Sequence, residues 1–173
     1  MTKALVIIDV QANLFDEPRA WRIDEIAALL DAKAAEARAA GAPVIFIQHE
    51  EAGCEWEHGT PGWAFHPSLA PKPGDRVVAK TFCDSFRDTT LADTLAELGV
   101  DEMVVGGYAS DFCVDTTVRA AASRGIPTTV IADGHTTSDR PHLPAAEIVR
   151  HLTWVWSRFD QPLSVASSGD IRF

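Results

Sequence analysis

The sequence predicts an α/β domain, a three-layer α/β/α sandwich around a six-stranded, mainly parallel sheet. Two observations predict it. Short runs rich in Val and Ile are apolar at consecutive positions rather than at every second one, as strands buried on both faces are. These runs alternate with segments of helical period, and strand and helix alternating along a chain imply right-handed β-α-β crossovers. At 173 residues the chain suffices for one full hydrophobic core but not for two, so residues 1–173 read as a single domain.

The first strand is Ala4 to Asp9, where Leu5-Val6-Ile7-Ile8 runs into a carboxylate. The segment from Ile23 to Ala40 carries Ile26, Leu29, Leu30 and Ala37 at helical spacing and stops at Gly41-Ala42-Pro43, a glycine stop with a proline behind it. Strands are predicted over Val44 to Gln48 and Arg76 to Ala79, then a helix over Leu91 to Leu98, capped from Asp88-Thr89-Thr90 and ended by Gly99. A strand over Met103 to Gly106 leads to a helix over Phe112 to Arg124, which ends at Gly125 with Pro127 beyond. Strands over Thr128 to Ile131 and Leu163 to Val165 flank a last helix from Ala145 to Phe159, whose Trp154 and Trp156 are expected to pack against the sheet or a partner subunit. Glu50 to Asp75 breaks the alternation with Gly59-Thr60-Pro61-Gly62 and Pro71-Lys72-Pro73-Gly74. Loops of that length in a compact domain are usually functional, so this one reads as a lid or pocket wall.

Composition excludes several function classes. Hydrophobic residues make up 46% and charged residues 23% with no polar low-complexity tract, which points to a globular chain. The longest apolar runs are far too short to span a bilayer, and Met1-Thr2-Lys3 leads straight into a strand with no secretory h-region. Cys54, Cys83 and Cys113 are odd in number and lack a C-x-x-C spacing, arguing against a disulfide framework or a structural zinc site. A cytoplasmic location is therefore expected. The net charge of −10, without a Lys/Arg cluster, argues against nucleic acid and anionic membranes as partners.

Three strands end in residues able to act together. Cys113 follows Met103-Val104-Val105-Gly106-Gly107 at a helix start, where roughly half a positive charge and unpaired N–H groups favour thiolate and can hold an oxyanion. Asp9 and Lys80 end apolar runs in the same way, on the edge where ligands bind in such sheets. A nucleophile, a base and a cation suit attack on an acyl carbon: Asp9 takes the thiol proton, Lys80 stabilises the ionised pair, and the thiolate forms a covalent intermediate that water resolves.

Ile8-Asp9-Val10-Gln11, Lys80 before Asp84-Ser85-Phe86, and Gly107-Tyr108-Ala109-Ser110-Asp111-Phe112-Cys113-Val114 with Thr117 after it resemble the isochorismatase-like cysteine hydrolases. Gly59-Thr60-Pro61-Gly62 with His66-Pro67, and Asp133 to Asp139, resemble further stretches of that superfamily. The resemblance implies a six-stranded α/β/α fold, an Asp9-Lys80-Cys113 catalytic triad, and a cis peptide between Tyr108 and Ala109. That peptide would aim the Ala109 and Cys113 N–H groups at the oxyanion.

Two departures bear on the chemistry. Isochorismatases proper cleave a vinyl ether by acid catalysis from the aspartate, for which a thiol is unnecessary, so the retained Cys113 favours C–N hydrolysis. Nicotinamidases of the superfamily hold a metal through an Asp-x-His pair after the second strand, whereas here that strand runs Ile47-Gln48-His49-Glu50 and lacks the aspartate. His49, His58 and His66 could bind zinc in principle, but their irregular loop spacing favours no metal and no cofactor. Leu14, Trp56 and Phe112 are candidates for the pocket wall, His135 reads as satisfying its own turn, and Cys54 and Cys83 read as bystanders. The reading is thus a metal-independent amidase-type hydrolase for a small-molecule substrate, self-associating into a homo-oligomer. A vinyl-ether hydrolase using Asp9 as general acid, and a non-catalytic metabolite-binding member, are its rivals.

Overall fold

A computed structural model describes residues 2–160 and 162–173. Six strands form one sheet: β1 (Lys3–Ile8), β2 (Val44–His49), β3 (Arg76–Lys80), β4 (Glu102–Tyr108), β5 (Thr128–Thr136) and β6 (Leu163–Ala166). Their order is β3-β2-β1-β4-β5-β6, and every neighbouring pair is parallel. The helices are α1 (Ile23–Ala39), α2 (Leu91–Glu97), α3 (Asp115–Ser123) and α4 (Ala145–Trp156).

The consecutive apolar residues of β1 divide between two cores. Ala4, Val6 and Ile8 join a cluster with Leu91, Val118, Leu152 and Trp156 from α2, α3 and α4. Leu5 and Ile7 join the opposite one, with Ile26, Ala27, Leu30 and Ala34 of α1. Each face of the strand thus removes its own apolar area from water, and that demand for two covered faces makes the sandwich three-layered. The third strand departs from the expected burial on both faces. As an edge strand it buries only alternate residues, leaving Val77 48% exposed while Val78 and Lys80 are buried.

The chain winds outward from β1 to β3 and then crosses back to place β4 on the other side of β1. Ligands bind in such sheets at the crevice where the winding reverses, beyond the carboxyl ends of the strands. Gly107 has φ +126°, and a Cβ built on it would stand 2.1 Å from the Ile8 carbonyl oxygen, so only glycine fits opposite Ile8.

Most element ends lie within a few residues of the sequence reading, with three differences. Strand β5 runs on to Thr136 because its pairing with β4 shifts register between Val105 and Gly107, letting it bulge and resume at His135. The expected helix 112–124 begins instead with a π-helical turn, Ser110–Val114, in which the Val114 N–H reaches back five residues to the Ala109 carbonyl. Helix α4 stops at Trp156, short of Phe159. Trp156 is fully buried and donates to Asp115 Oδ1 at 2.8 Å, whereas Trp154 is 56% exposed. Among the described residues no helix is long and apolar enough to cross a membrane.

Residues 50–75 form turns and bends with no helix or strand, as expected of a loop. What holds them is Gln11, fully buried, whose amide donates to the His49 and Trp63 carbonyls at 3.0 and 2.7 Å and accepts from the His49 N–H at 2.8 Å. Gln48 donates to the same Trp63 carbonyl at 3.0 Å. The far end is held by Arg38 of α1, which grips Asp75 with two hydrogen bonds. The loop is therefore a docked wall rather than a free flap.

Candidate active site

The residue after β1, Asp9, takes a left-handed conformation, φ 51°, while its N–H remains bonded to the Ile47 carbonyl of β2. Aspartate tolerates that region better than most residues, and the kink carries its carboxylate out of the sheet. Lys80 ends β3, two strands away, in register with His49 of β2. Only a long flexible stem spans that gap. Its ammonium reaches Asp9 Oδ2 at 2.7 Å and Cys113 Sγ at 3.2 Å, with the Asp9 and Lys80 side chains 2% and 0% exposed. Cys113 sits in the π-helical turn after β4, and the Tyr108–Ala109 peptide preceding that turn is cis, as the motif implied. The structure thus brings Asp9, Lys80 and Cys113 together at the winding reversal.

Two anions cannot comfortably share one cation in so dry a place. Burial pushes the Cys113 thiol up, and the Asp9 charge pushes it further, outweighing the pull of Lys80. This corrects the expectation from the helix start alone, which favours a resting thiolate. Burial opposes the Lys80 charge, but Asp9 and Cys113 more than offset it and raise the ammonium above its ordinary value. Burial and the Asp9 charge thus favour the protonated thiol at rest, beside the Lys80 ammonium. Asp9 Oδ1 is buried with no hydrogen-bond partner of its own.

Asp9, Cys113 and Ala109 lie along a cavity of about 420 Å³ whose walls are His49, Glu51, Trp56, Cys83, Tyr108, Phe112 and Arg140. Trp56 and Phe112 stand where the sequence placed them. Leu14 does not: it is buried against α1 and lines a neighbouring depression that shares Trp56, Tyr108 and Arg140 with the cavity. Cys83 is no bystander in position, since it lines the cavity, whereas Cys54 is half-buried with its thiol on the Glu51 carbonyl.

Sequence reasoning missed His49, Tyr108 and Arg140 as wall residues. Position was the available signal for His49, because it ends β2 between the strands that carry Asp9 and Lys80. Arg140 gave no such signal. Its guanidinium bonds Asp111 at 2.8 and 3.0 Å and lies 5.0 Å over the Phe112 ring. Burial works against the Asp111 charge, but Arg140 and Thr137 outweigh it and hold the carboxyl below its ordinary range. Other motif residues are structural ties: Ser85 and Thr117 exchange a 2.8 Å hydroxyl bond that fastens the segment after Lys80 to α3.

The three histidines considered for a metal are dispersed, His49 on β2 and the other two in the loop after it. His49 Nδ1 lies 3.2 Å from Lys80 Nζ, His58 packs on Trp63, and His66 stacks on Phe15 with Nδ1 on the Ser68 hydroxyl. Among the described residues no three His, Cys, Asp or Glu side chains converge as a metal-holding group. His135 is buried, with Nδ1 on Ser110 Oγ at 2.8 Å and Nε2 on Thr153 Oγ1 at 3.0 Å, so it ties β5 to the π-helical turn and to α4.

The chain is similar to known proteins both in sequence and in fold. Over 147 residues the chain is 38% identical to streptothricin hydrolase of Streptomyces noursei, a match covering 82% of this chain and 57% of that protein. It is 28% identical over 172 residues to ureidoacrylate amidohydrolase of Methylobacterium radiotolerans, covering 76% and 66% of the two. A crystal structure of an isochorismatase from Pseudomonas putida superposes with a TM-score of 0.90 at 31% identity, over 98% of this chain and 89% of that one. The isochorismatase domain model matches residues 3–154, and the chain belongs to the isochorismatase family.

Proposed function

We propose that this protein is a cysteine hydrolase that cleaves a small amide or related C–N bond through a thioester on Cys113. One observation carries the reading: a lysine ammonium fully shielded from water bridges a carboxylate at 2.7 Å and a thiol at 3.2 Å, beside a cavity of small-molecule size. Two of the named relatives, a streptothricin hydrolase and a ureidoacrylate amidohydrolase, support the hydrolytic class.

The proposed sequence passes a proton through Asp9 twice, once in acylation and once in deacylation. Asp9 accepts the Cys113 proton as sulfur attacks the acyl carbon, and Lys80 balances the negative charge that moves from carboxylate to thiolate. The oxyanion of the tetrahedral intermediate is held by the N–H of Ala109, just before the π-helical turn, and the N–H of Cys113 within it. Collapse breaks the C–N bond and expels the amine with the proton from Asp9. Water then adds to the thioester as Asp9 takes its proton, and collapse of this second intermediate breaks the C–S bond, releases the carboxylic acid and returns that proton from Asp9 to the Cys113 sulfur. Since Asp9 Oδ1 has no other partner, it is free to carry that proton.

The experiment is a screen of small amides, ureides and lactams for released ammonia or amine, with mass spectrometry of the intact chain during turnover. An acyl mass on Cys113 that disappears as substrate is exhausted supports the reading. Turnover of a vinyl ether by the Cys113→Ala variant would replace it with acid catalysis from Asp9.

A further inference from the structure

His49 stands beside the Asp9-Lys80-Cys113 group, and the chemistry just proposed leaves it without a role. Its Nδ1 lies 3.2 Å from Lys80 Nζ, and its Nε2 lies 3.9 Å from Glu51 Oε2 on the cavity side. Trp56 packs edge-on against its ring at a centroid distance of 5.6 Å. The backbone is pinned as well, because both its N–H and its carbonyl are bonded to the Gln11 amide.

An ammonium has three protons and no lone pair. Lys80 meets three acceptors: Asp9 Oδ2 at 2.7 Å, Cys113 Sγ at 3.2 Å and His49 Nδ1 at 3.2 Å. Each proton therefore has one destination. For Nδ1 to accept, its lone pair must be bare, which places the ring proton on Nε2. Protonating both nitrogens would set a second cation against Lys80. Burial and the Lys80 charge both hold His49 below its ordinary pKa, over the opposing pull of Asp9 and Glu51. A buried donor without an acceptor is costly, so an ammonium lacking its third partner would tilt away from Sγ or lose its proton more readily.

We infer that His49 is a positioning residue for Lys80: by accepting the third ammonium proton it fixes the direction of the other two, on Asp9 and on Cys113, and thereby keeps the sulfur beside a cation while it ionises. The inference rests on the proposed triad chemistry and assigns His49 no contact with substrate.

Two amide side chains separate this role from mere packing. In Asn the amide oxygen can take the place of Nδ1, whereas in Gln the amide falls near Nε2, so His49→Asn restores the acceptor and His49→Gln does not. The probe is p-nitrophenyl acetate, an activated acyl donor, and the readout is the rate at which Cys113 gains an acetyl mass in the full-length chain. Charge-assisted hydrogen bonds of this kind set the scale, so His49→Gln and His49→Phe should acylate about 10- to 100-fold more slowly than wild type, with His49→Asn within about threefold of it. Nitrogen NMR of the histidine-labelled wild type, assigned with His49→Asn, should find the Nε2–H form at neutral pH with Nδ1 hydrogen-bonded. Equal rates for the Asn and Gln variants, or an Nδ1–H or doubly protonated ring at neutral pH, would overturn the inference. A Cys113 that acylates no faster in wild type than in Asp9→Asn would instead overturn the triad reading, and the NMR result would still decide the tautomer.

Discussion

Two buried polar clusters flank the same π-helical turn, and they are built on opposite principles. On one side Cys113 joins Asp9 and Lys80: the cluster is charged, one Asp9 oxygen has no partner, and a cavity opens beside it. On the other side Ser110 meets His135, whose second nitrogen is taken by Thr153, and His135 lines none of the cavities described. Both hold a titratable side chain almost wholly out of water. Burial lowers the His135 pKa to about 4, so that cluster stays neutral and satisfied at ordinary pH. Burial of a titratable group is thus a poor marker of chemistry by itself. The marker is a buried charge left partly unsatisfied where a ligand can reach it.

The largest effect expected is on the unsatisfied side. Cys113→Ala should lower turnover of any amide substrate by at least about 10³-fold while leaving the melting temperature close to wild type, because nucleophile loss leaves only binding and the oxyanion groups. Comparable activity in the variant would show that the two clusters do not differ in kind. Asp9→Asn and Lys80→Met should follow, each costing about 10²- to 10⁴-fold as members of one proton-moving unit. Removing one partner of a buried pair typically costs about 3–5 kcal/mol of stability, whereas removing both costs less than the sum. Paired melts and rates should therefore show the double variant no slower than either single variant and more stable than Lys80→Met alone. Additive losses in both would separate Asp9 from Lys80.

This asymmetry also sets what the sequence could disclose. Asp9, Lys80 and Cys113 were legible because each interrupts or follows an apolar run, and the alternation of strands and helices tells which edge those positions share. The pairing of Ser110 with His135 was not legible, because it depends on β5 bulging past Gly107 to bring residue 135 back into register. Leu14 and Arg140 differ from their sequence reading in opposite directions, for a related reason. Leu14 packs into the core and lines the depression beside the cavity, while an arginine 27 residues beyond Cys113 swings over Phe112 through its grip on Asp111. Chain proximity predicts shared walls only along a strand or helix, and these contacts are made by loops. The thiol's resting state was misjudged because a helix start is visible in sequence whereas desolvation is not.

A smaller effect is expected from the satisfied cluster. His135→Gln should leave turnover within a few-fold of wild type and cost about 1–3 kcal/mol of stability through imperfect replacement of its two bonds. Its signature lies in pH. The folded pKa of about 4 is below the ordinary 6.5, so the unfolded chain binds a proton over that interval and the folded chain does not. Stability is then fully present above about pH 6.5 and is lost as the pH falls toward 4, by roughly 3 kcal/mol if the whole shift is realised. Denaturant melts from pH 7 to 4 should show wild type losing more stability than His135→Gln. Parallel pH dependence in the two would mean that His135 is hydrated or already charged.

Metal removal is expected to have the smallest effect, and it tests the charged cluster from outside. Zinc-like centres need three or four side chains whose lone pairs converge. His49, the imidazole at the end of β2 beside the Asp9-Lys80-Cys113 group, has Nδ1 on Lys80, which would repel a cation held there, while His66 has turned its Nδ1 to Ser68. In the proposed mechanism the electrophilic help that a metal would lend comes instead from the Lys80 ammonium and the Ala109 and Cys113 N–H groups. Exhaustive dialysis against a strong chelator should therefore leave both turnover and melting temperature unchanged, with well under one metal per chain by elemental analysis. Activity lost on chelation and regained with added zinc, iron or manganese would show that His49 leaves Lys80 for the metal. The ammonium could not then be the fixed partner of Cys113, and the charged cluster would have to be read as a metal site.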